Sequence, residues 1–256
     1  MRLVRLLILT LGVSLCGAAA ASDLEKEQRW AEQIVDALLD GEAVYLNDGR
    51  TEFLALETES TAGDSRRAAI VMHGTGVHPN WPTVVQPLRV GLAEAGWHTL
   101  SIQMPVLPNE AEHAAYADIY DWVPGRIDAG IRHLRDQGFE TIVLIGHSQG
   151  STMAVYYLSR EPQPVEGFVA VGMSGGIAGG PMDTLAQLPA LAVPTLDLYG
   201  GEDLPEVLDS AEERAAQARK MGGDYSQQVV AGADHFFDGE EAELLEAVNA
   251  WLATRY

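Results

Sequence analysis

The chain has 256 residues with a hydrophobic share of 47% and a charged share of 21%, which excludes a disordered chain and gives one globular domain room for a substantial core. Its net charge of −21 repels nucleic acid and anionic lipid, so neither is expected as an electrostatic partner. Cys16 is the lone cysteine, which excludes an internal disulfide, and no repeat or low-complexity linker marks a second domain.

Residues 1–21, MRLVRLLILTLGVSLCGAAAA, carry Arg2 and Arg5 ahead of an apolar run from Leu6 to Leu15, then small residues suited to cleavage after Ala20 or Ala21. That layout reads as a secretory signal peptide, leaving 22–256 as a single domain. A membrane anchor competes with it, but the apolar run falls short of the ~20 residues a span needs. A lipoprotein reading of Cys16 suffers from Leu15 immediately before it. Cleavage would remove the cysteine and both arginines, taking the net charge from −21 to −23 and leaving no stable span. Export without disulfides fits a bacterial envelope compartment, the periplasm first and secretion second. The sequence does not give an oligomeric state.

Residues 22–41 read as a helix: Ser22 to Glu25 resembles a capping box, Ala31, Ile34, Val35 and Leu38 recur at helical spacing, and Gly41 stops it. Strands 43–46 and 52–57 flank Asn47-Asp48-Gly49, a hairpin signal. After the polar stretch 58–67 come strand 68–72, helix 82–95, strand 97–103 and a mostly helical 118–137 with Pro124 and Gly125 marking a break or a start. Strand 141–145, helix 149–160 and strands 167–171 and 194–199 follow. Helix 206–221, strand 226–230 and helix 240–254 close the chain. Short apolar strands alternating with amphipathic helices imply an α/β fold, a mostly parallel sheet with helices on both faces after an antiparallel N-terminal hairpin. Ligands of such sheets bind beyond the carboxyl ends of the strands.

Two stretches match Gly-x-Ser-x-Gly: GHSQG at 146–150 and GMSGG at 172–176. Ser148 follows the strand TIVLI and precedes a segment with Met153, Ala154, Tyr157 and Leu158 on one helical face, the strand–turn–helix setting of a nucleophile elbow. Gly146 and Gly150 would relieve crowding at that turn, and the helix N-terminus would face developing negative charge. Ser174 is followed by GGIAGGP, too rich in glycine to start a helix, and reads as a loop at the pocket rim.

The order of elements, GHSQG, and HGTG after an earlier strand resemble the α/β-hydrolase superfamily over most of residues 43–254. HGTGVHPNWPTVVQPLRVGLAEAGWHTLSIQMPVL and GADHFF further resemble a little-characterised group of exported bacterial α/β-hydrolase-like proteins. The superfamily's chain order, nucleophile then acid then histidine, implies His235 as the base and Asp203 as the acid, with Glu202 next in line. Asp197, inside a strand, would need a buried partner, and Asp234 reads as a loop or cap residue. The resemblance implies an oxyanion hole from the backbone N–H of Gln149 and Thr75. His73, Gly74, His78, His147 and Ser174 are expected to line the pocket. A metal reading of His73 and His78 has no HExxH or Cys/His cluster behind it, and no cofactor is called for. Residues 172–193 are too short for a large lid, which makes 104–124 a candidate cover, its Tyr116, Tyr120 and Trp122 either acyl-binding or simply packed.

These parts imply a serine hydrolase acting on a carboxylic ester or related acyl bond of a small-molecule or envelope substrate, through an acyl-enzyme. The alternative is a non-catalytic binding or interaction module on the same fold.

Overall fold

The computed structural model describes residues 21–63, 65–161, 164–221 and 224–256. The signal-peptide reading of 1–21 thus lies, but for Ala21, outside the described residues. The chain opens with α1 (Leu24–Ala37), the hairpin β1 (Glu42–Asn47) and β2 (Glu52–Thr58), β3 (Arg67–Met72), α2 (Val85–Glu94) and β4 (His98–Ile102). A 3-10 segment, His113–Trp122, leads into α3 (Val123–Asp136), followed by β5 (Thr141–His147), α4 (Gln149–Leu158) and β6 (Gly167–Val171). Then come α5 (Thr184–Gln187), a 3-10 turn (Leu188–Ala190), β7 (Thr195–Gly200), α6 (Pro205–Leu208), α7 (Ala211–Ala218), β8 (Tyr225–Val230) and α8 (Glu241–Ala253).

The strands form one sheet in the order β1-β2-β4-β3-β5-β6-β7-β8. The β1–β2 and β2–β4 pairs are antiparallel and the rest are parallel. Period-2 alternation puts apolar residues on both faces of the central strands. Ile142, Leu144, Phe168 and Ala170 enter the core under α3 and α4, while Val143, Ile145, Val169 and Val171 enter the core that includes Leu88 of α2 and Leu244, Val248 and Leu252 of α8. A smaller cluster seats Ala31 and Ile34 of α1 on Leu54 and Leu56 of β2. Each such valine, leucine, isoleucine or phenylalanine contributes about 1.5–3 kcal/mol on leaving water.

Two details differ from the sequence reading, each for a tertiary reason. Asp23, not Ser22, caps α1, accepting from Lys26 N at 3.0 Å. Ser22 is instead drawn into the interior, its hydroxyl bonded to Glu27 and to Val106 O, 3.2 Å away. The helix expected over 206–221 breaks into α6 and α7, because Asp209 and Ser210 form a turn and the Ser210 hydroxyl donates to Glu206 O at 2.5 Å. In the segment 104–124, Tyr116, Tyr120 and Trp122 are buried and belong to the main core. Arg126, fully buried, ties this region together by pairing with Glu27 at 2.9 Å and Asp48 at 2.7 Å.

Candidate active site

Ser148 occupies the single-residue turn between the carboxyl end of β5 and α4, with φ 53° and ψ −119°, a conformation that strains a non-glycine residue. The flanking glycines are there for contact. A Cβ on Gly146 would lie 2.6 Å from Gly150 C, and one on Gly150 would lie 2.6 Å from Met72 O. Helix α4 begins at Gln149, so that residue's N–H belongs to the first turn, which has no intrahelical acceptor.

His235 follows β8, and its Nδ1–H donates to Asp203 Oδ1 at 2.6 Å. Asp203, after β7, also accepts from Leu204 N at 2.7 Å and Gly200 N at 3.2 Å. Burial alone would push this carboxyl up, but the His235 hydrogen bond and charge and the two backbone donors outweigh it, and the net direction is down. The carboxylate therefore stays charged and fixes the imidazole, leaving Nε2 as its free face. Glu202 is exposed and Asp234 caps its own loop, accepting from Phe236 N at 2.8 Å. Two contacts bring Ser148 and His235 together. Ser148 N donates to Val171 O at 2.8 Å, and the next residue, Gly172, would place a Cβ 3.0 Å from the imidazole.

Both residues line one cavity of about 200 Å³. Gln149 and Thr152 give it a polar floor, braced from behind by a closed ring of hydrogen bonds: Gln149 Nε2 to the Tyr120 hydroxyl at 2.5 Å, Tyr120 to Thr152 Oγ1 at 2.8 Å, and Thr152 Oγ1 to Gln149 O at 3.0 Å. Ile177, Leu204 and Val207 supply apolar wall, and His113 and Glu206 stand at the exposed margin. Ser174 lines this cavity, while His73, Gly74, His78 and His147 lie outside its lining. His73, Gly74 and His147 are buried behind the turn, and His78 faces a separate groove. Thr152, one helical turn beyond Ser148, was legible from its i+4 spacing; Leu204 and Val207 carried no signal in the sequence.

The buried histidines shape the site from behind. His73 Nε2 accepts from Met104 N and Gln103 Nε2, both at 2.9 Å, so its proton is on Nδ1 and donates to Gly74 O at 2.9 Å. Because a peptide is planar and trans, turning that carbonyl toward His73 points the Thr75 N–H the opposite way. A Cβ on Gly74 would lie 2.9 Å from Ser148 Cβ, so this turn abuts the serine. His147 Nε2–H donates to His235 O at 2.9 Å, holding the histidine loop.

Burial lowers His73 to about 3; burial, then the neighbouring His235 charge, lowers His147 to about 4. Both therefore stay neutral in the fold while the unfolded chain takes up their protons near pH 6.5, so their contribution is full above that pH and is lost as pH falls toward 4. We expect urea unfolding at pH 7.5 and 4.5 to show this loss, with His147 accounting for as much as ~3 kcal/mol. His147→Gln, which keeps a donor for His235 O, should shrink the difference; an unchanged difference would contradict the assignment. Among the described residues, no group of three or more His, Cys, Asp or Glu side chains is placed to hold a metal ion, and no helix is long and apolar enough to cross a membrane.

The model of a family described as a protein of unknown function, DUF3530, matches residues 14–119 and 109–254. The chain belongs to the DUF3530 family. Solved structures similar to this DUF3530 chain have α/β-hydrolase architecture. Est1E from Butyrivibrio proteoclasticus is 15% identical with a TM-score of 0.66, covering 83% of this chain and 98% of its own. A dienelactone hydrolase from Anabaena variabilis is 21% identical with a TM-score of 0.67, covering 84% and 97%. The fold is thus that of the α/β-hydrolase superfamily, as the sequence motifs implied. A curated relative, "Lipase LipV" of Mycobacterium tuberculosis, is 25% identical over 168 residues, which are 63% of this chain. The match spans 59% of that relative's length.

Proposed function

We propose that this protein is a serine hydrolase that cleaves a carboxylic ester with a short acyl group, using Ser148, His235 and Asp203. One observation carries the reading: a serine strained to φ 53° at a strand–helix turn shares its cavity with a histidine whose Nδ1 is engaged by a buried carboxylate. Relatives named as a lipase and a dienelactone hydrolase favour acyl-bond hydrolysis as the reaction class. Residues 1–21 support export, with action in the bacterial envelope.

His235 Nε2 takes the proton as Ser148 Oγ attacks the carbonyl carbon. The resulting oxyanion is met by the N–H groups of Gln149 and Thr75, the second turned outward by the His73–Gly74 hydrogen bond. Collapse expels the alcohol, protonated by His235, and leaves the acyl group on Ser148. Water, deprotonated by the same imidazole, then releases the acid. Asp203 holds the tautomer and the charge of the imidazolium throughout.

The small cavity and its polar floor of Gln149 and Thr152 set the acyl length. With p-nitrophenyl esters, kcat/KM should be highest for acetate to butyrate and roughly tenfold or more lower for laurate, since a long chain would have to leave the pocket for water. A maximum at eight carbons or beyond would contradict the short pocket. The reading as a whole is tested by a fluorophosphonate probe on the purified protein: labelling together with ester turnover is expected, and a folded protein showing neither would overturn it.

A further inference from the structure

A second concavity, of about 520 Å³, lies on the other side of the turn 74–76, between α1 and the loops after β3 and β4. Its wall is a ladder of aromatic rings. Trp30 meets His78 edge-on at 5.6 Å, and His78 meets Trp81 at 5.4 Å. Both indoles remain partly exposed. Lys26 crosses one side, its Nζ donating to Leu107 O at 2.9 Å and Asn109 Oδ1 at 2.7 Å, which joins the helix to the β4 loop. Exposed Arg29 and Gln33 on α1, and Glu110 opposite, border the opening.

The chemistry of this lining is selective. Two carboxylates, Asp23 and Glu110, face two cations, Lys26 and Arg29, so in a chain of net charge −21 the groove is locally balanced. Neither a strongly anionic nor a strongly cationic ligand is favoured. Polar side chains interrupt any apolar track long enough for a lipid chain. Lys26 Nζ already lies over the Trp30 ring, 4.8 Å from its centre. What fits is a neutral ring with an apolar face for Trp81 and a rim of hydroxyls for guanidinium, amide and carboxylate groups. The location adds the link to chemistry. Gly76 lines the groove and stands two residues, about 7.6 Å of chain at most, from Gly74, which abuts Ser148.

We infer that this groove binds the sugar portion of an O-acylated saccharide, the alcohol side of the ester whose acyl side enters the Ser148 cavity. The inference rests on the proposed hydrolase reading for the ester, but the groove itself is testable alone. Hydrolysis of 6-O-acetylglucose, whose other hydroxyls are free, and of ethyl acetate, followed by pH-stat, compares the same acyl group on a sugar and on a plain alcohol. The wild type should favour the sugar ester by roughly tenfold in kcat/KM, mostly through KM, and Trp81→Ala and Arg29→Ala should each remove most of that preference. Arg29 is exposed, so its substitution guards against loss of fold in the tryptophan variant. Separately, cellobiose should give a saturable change in the tryptophan fluorescence of the wild type that Trp81→Ala and Arg29→Ala diminish. Binding without any hydrolysis would uphold the groove and overturn the hydrolase reading. Ester turnover with no preference for the sugar ester and no cellobiose binding would overturn the groove.

Discussion

Ser148→Ala is expected to lower kcat/KM for p-nitrophenyl butyrate by about 10⁵-fold, the scale on which nucleophile removal acts when serine, histidine and acid work as a unit. His235→Ala should cost nearly as much, and combining the two should add little, because neither side chain has a role without the other. Asp203→Asn should cost about 10⁴-fold, since an amide N–H facing His235 Nδ1 stabilises the wrong tautomer. Ser174→Ala removes only a rim hydroxyl that accepts from Gly176 N at 3.2 Å, and less than about tenfold loss is expected. Steady-state kinetics of the four purified variants, with circular dichroism to check folding, decides the matter. A loss from Ser174→Ala matching that from Ser148→Ala would reassign the nucleophile.

Arg214→Ala is expected to produce the largest loss of stability. Asp197 lies inside β7, fully buried, and its carboxylate accepts from Arg214 Nε at 2.8 Å, the Tyr225 hydroxyl at 2.6 Å and Gln227 Nε2 at 3.0 Å. Removing the guanidinium leaves that charge with neutral partners only, a defect of about 3–5 kcal/mol. For a domain of this size that is roughly a 10 °C fall in Tm by calorimetry. Arg214 Nη1 also donates to Val207 O at 2.7 Å and to Ser210 Oγ at 2.7 Å, and Val207 is a wall of the Ser148 cavity. Surviving protein should therefore show a raised KM. Asp197→Leu combined with Arg214→Met, apolar at both ends, should recover much of the stability; a single variant as stable as wild type would refute the role of the pair.

The sheet was legible because its signal is local. Apolar runs such as IVLIG and FVAVG are long enough for a strand, lack helical period, and sit between glycine and polar breaks. The turn at Ser148 was legible for the same reason: five residues and their flanks specify it. What could not be read is whatever depends on distant partners. The Ser22 hydroxyl meets Val106 across 84 residues, which moves the helix cap to Asp23. Arg214 finds Asp197, and Arg126 finds Asp48, through folding alone. Consecutive side chains at a sharp turn diverge, so His147 points to the His235 carbonyl while Ser148 faces the cavity; His73 and Gly74 are buried, and His78 lines a separate groove. The burial of Tyr116, Tyr120 and Trp122 in the core depends on such distant partners too.

The Ser148 hydroxyl, on a strained turn and in one cavity with the His235 imidazole, should be the one reactive serine in this molecule. Mass spectrometry of peptides from fluorophosphonate-treated, folded wild-type protein asks that directly. One adduct is expected, on the peptide containing Ser148, at a rate that denaturation or Asp203→Asn sharply reduces. An adduct on Ser174 instead, or modification of Ser148 no faster in folded than in unfolded protein, would contradict the account.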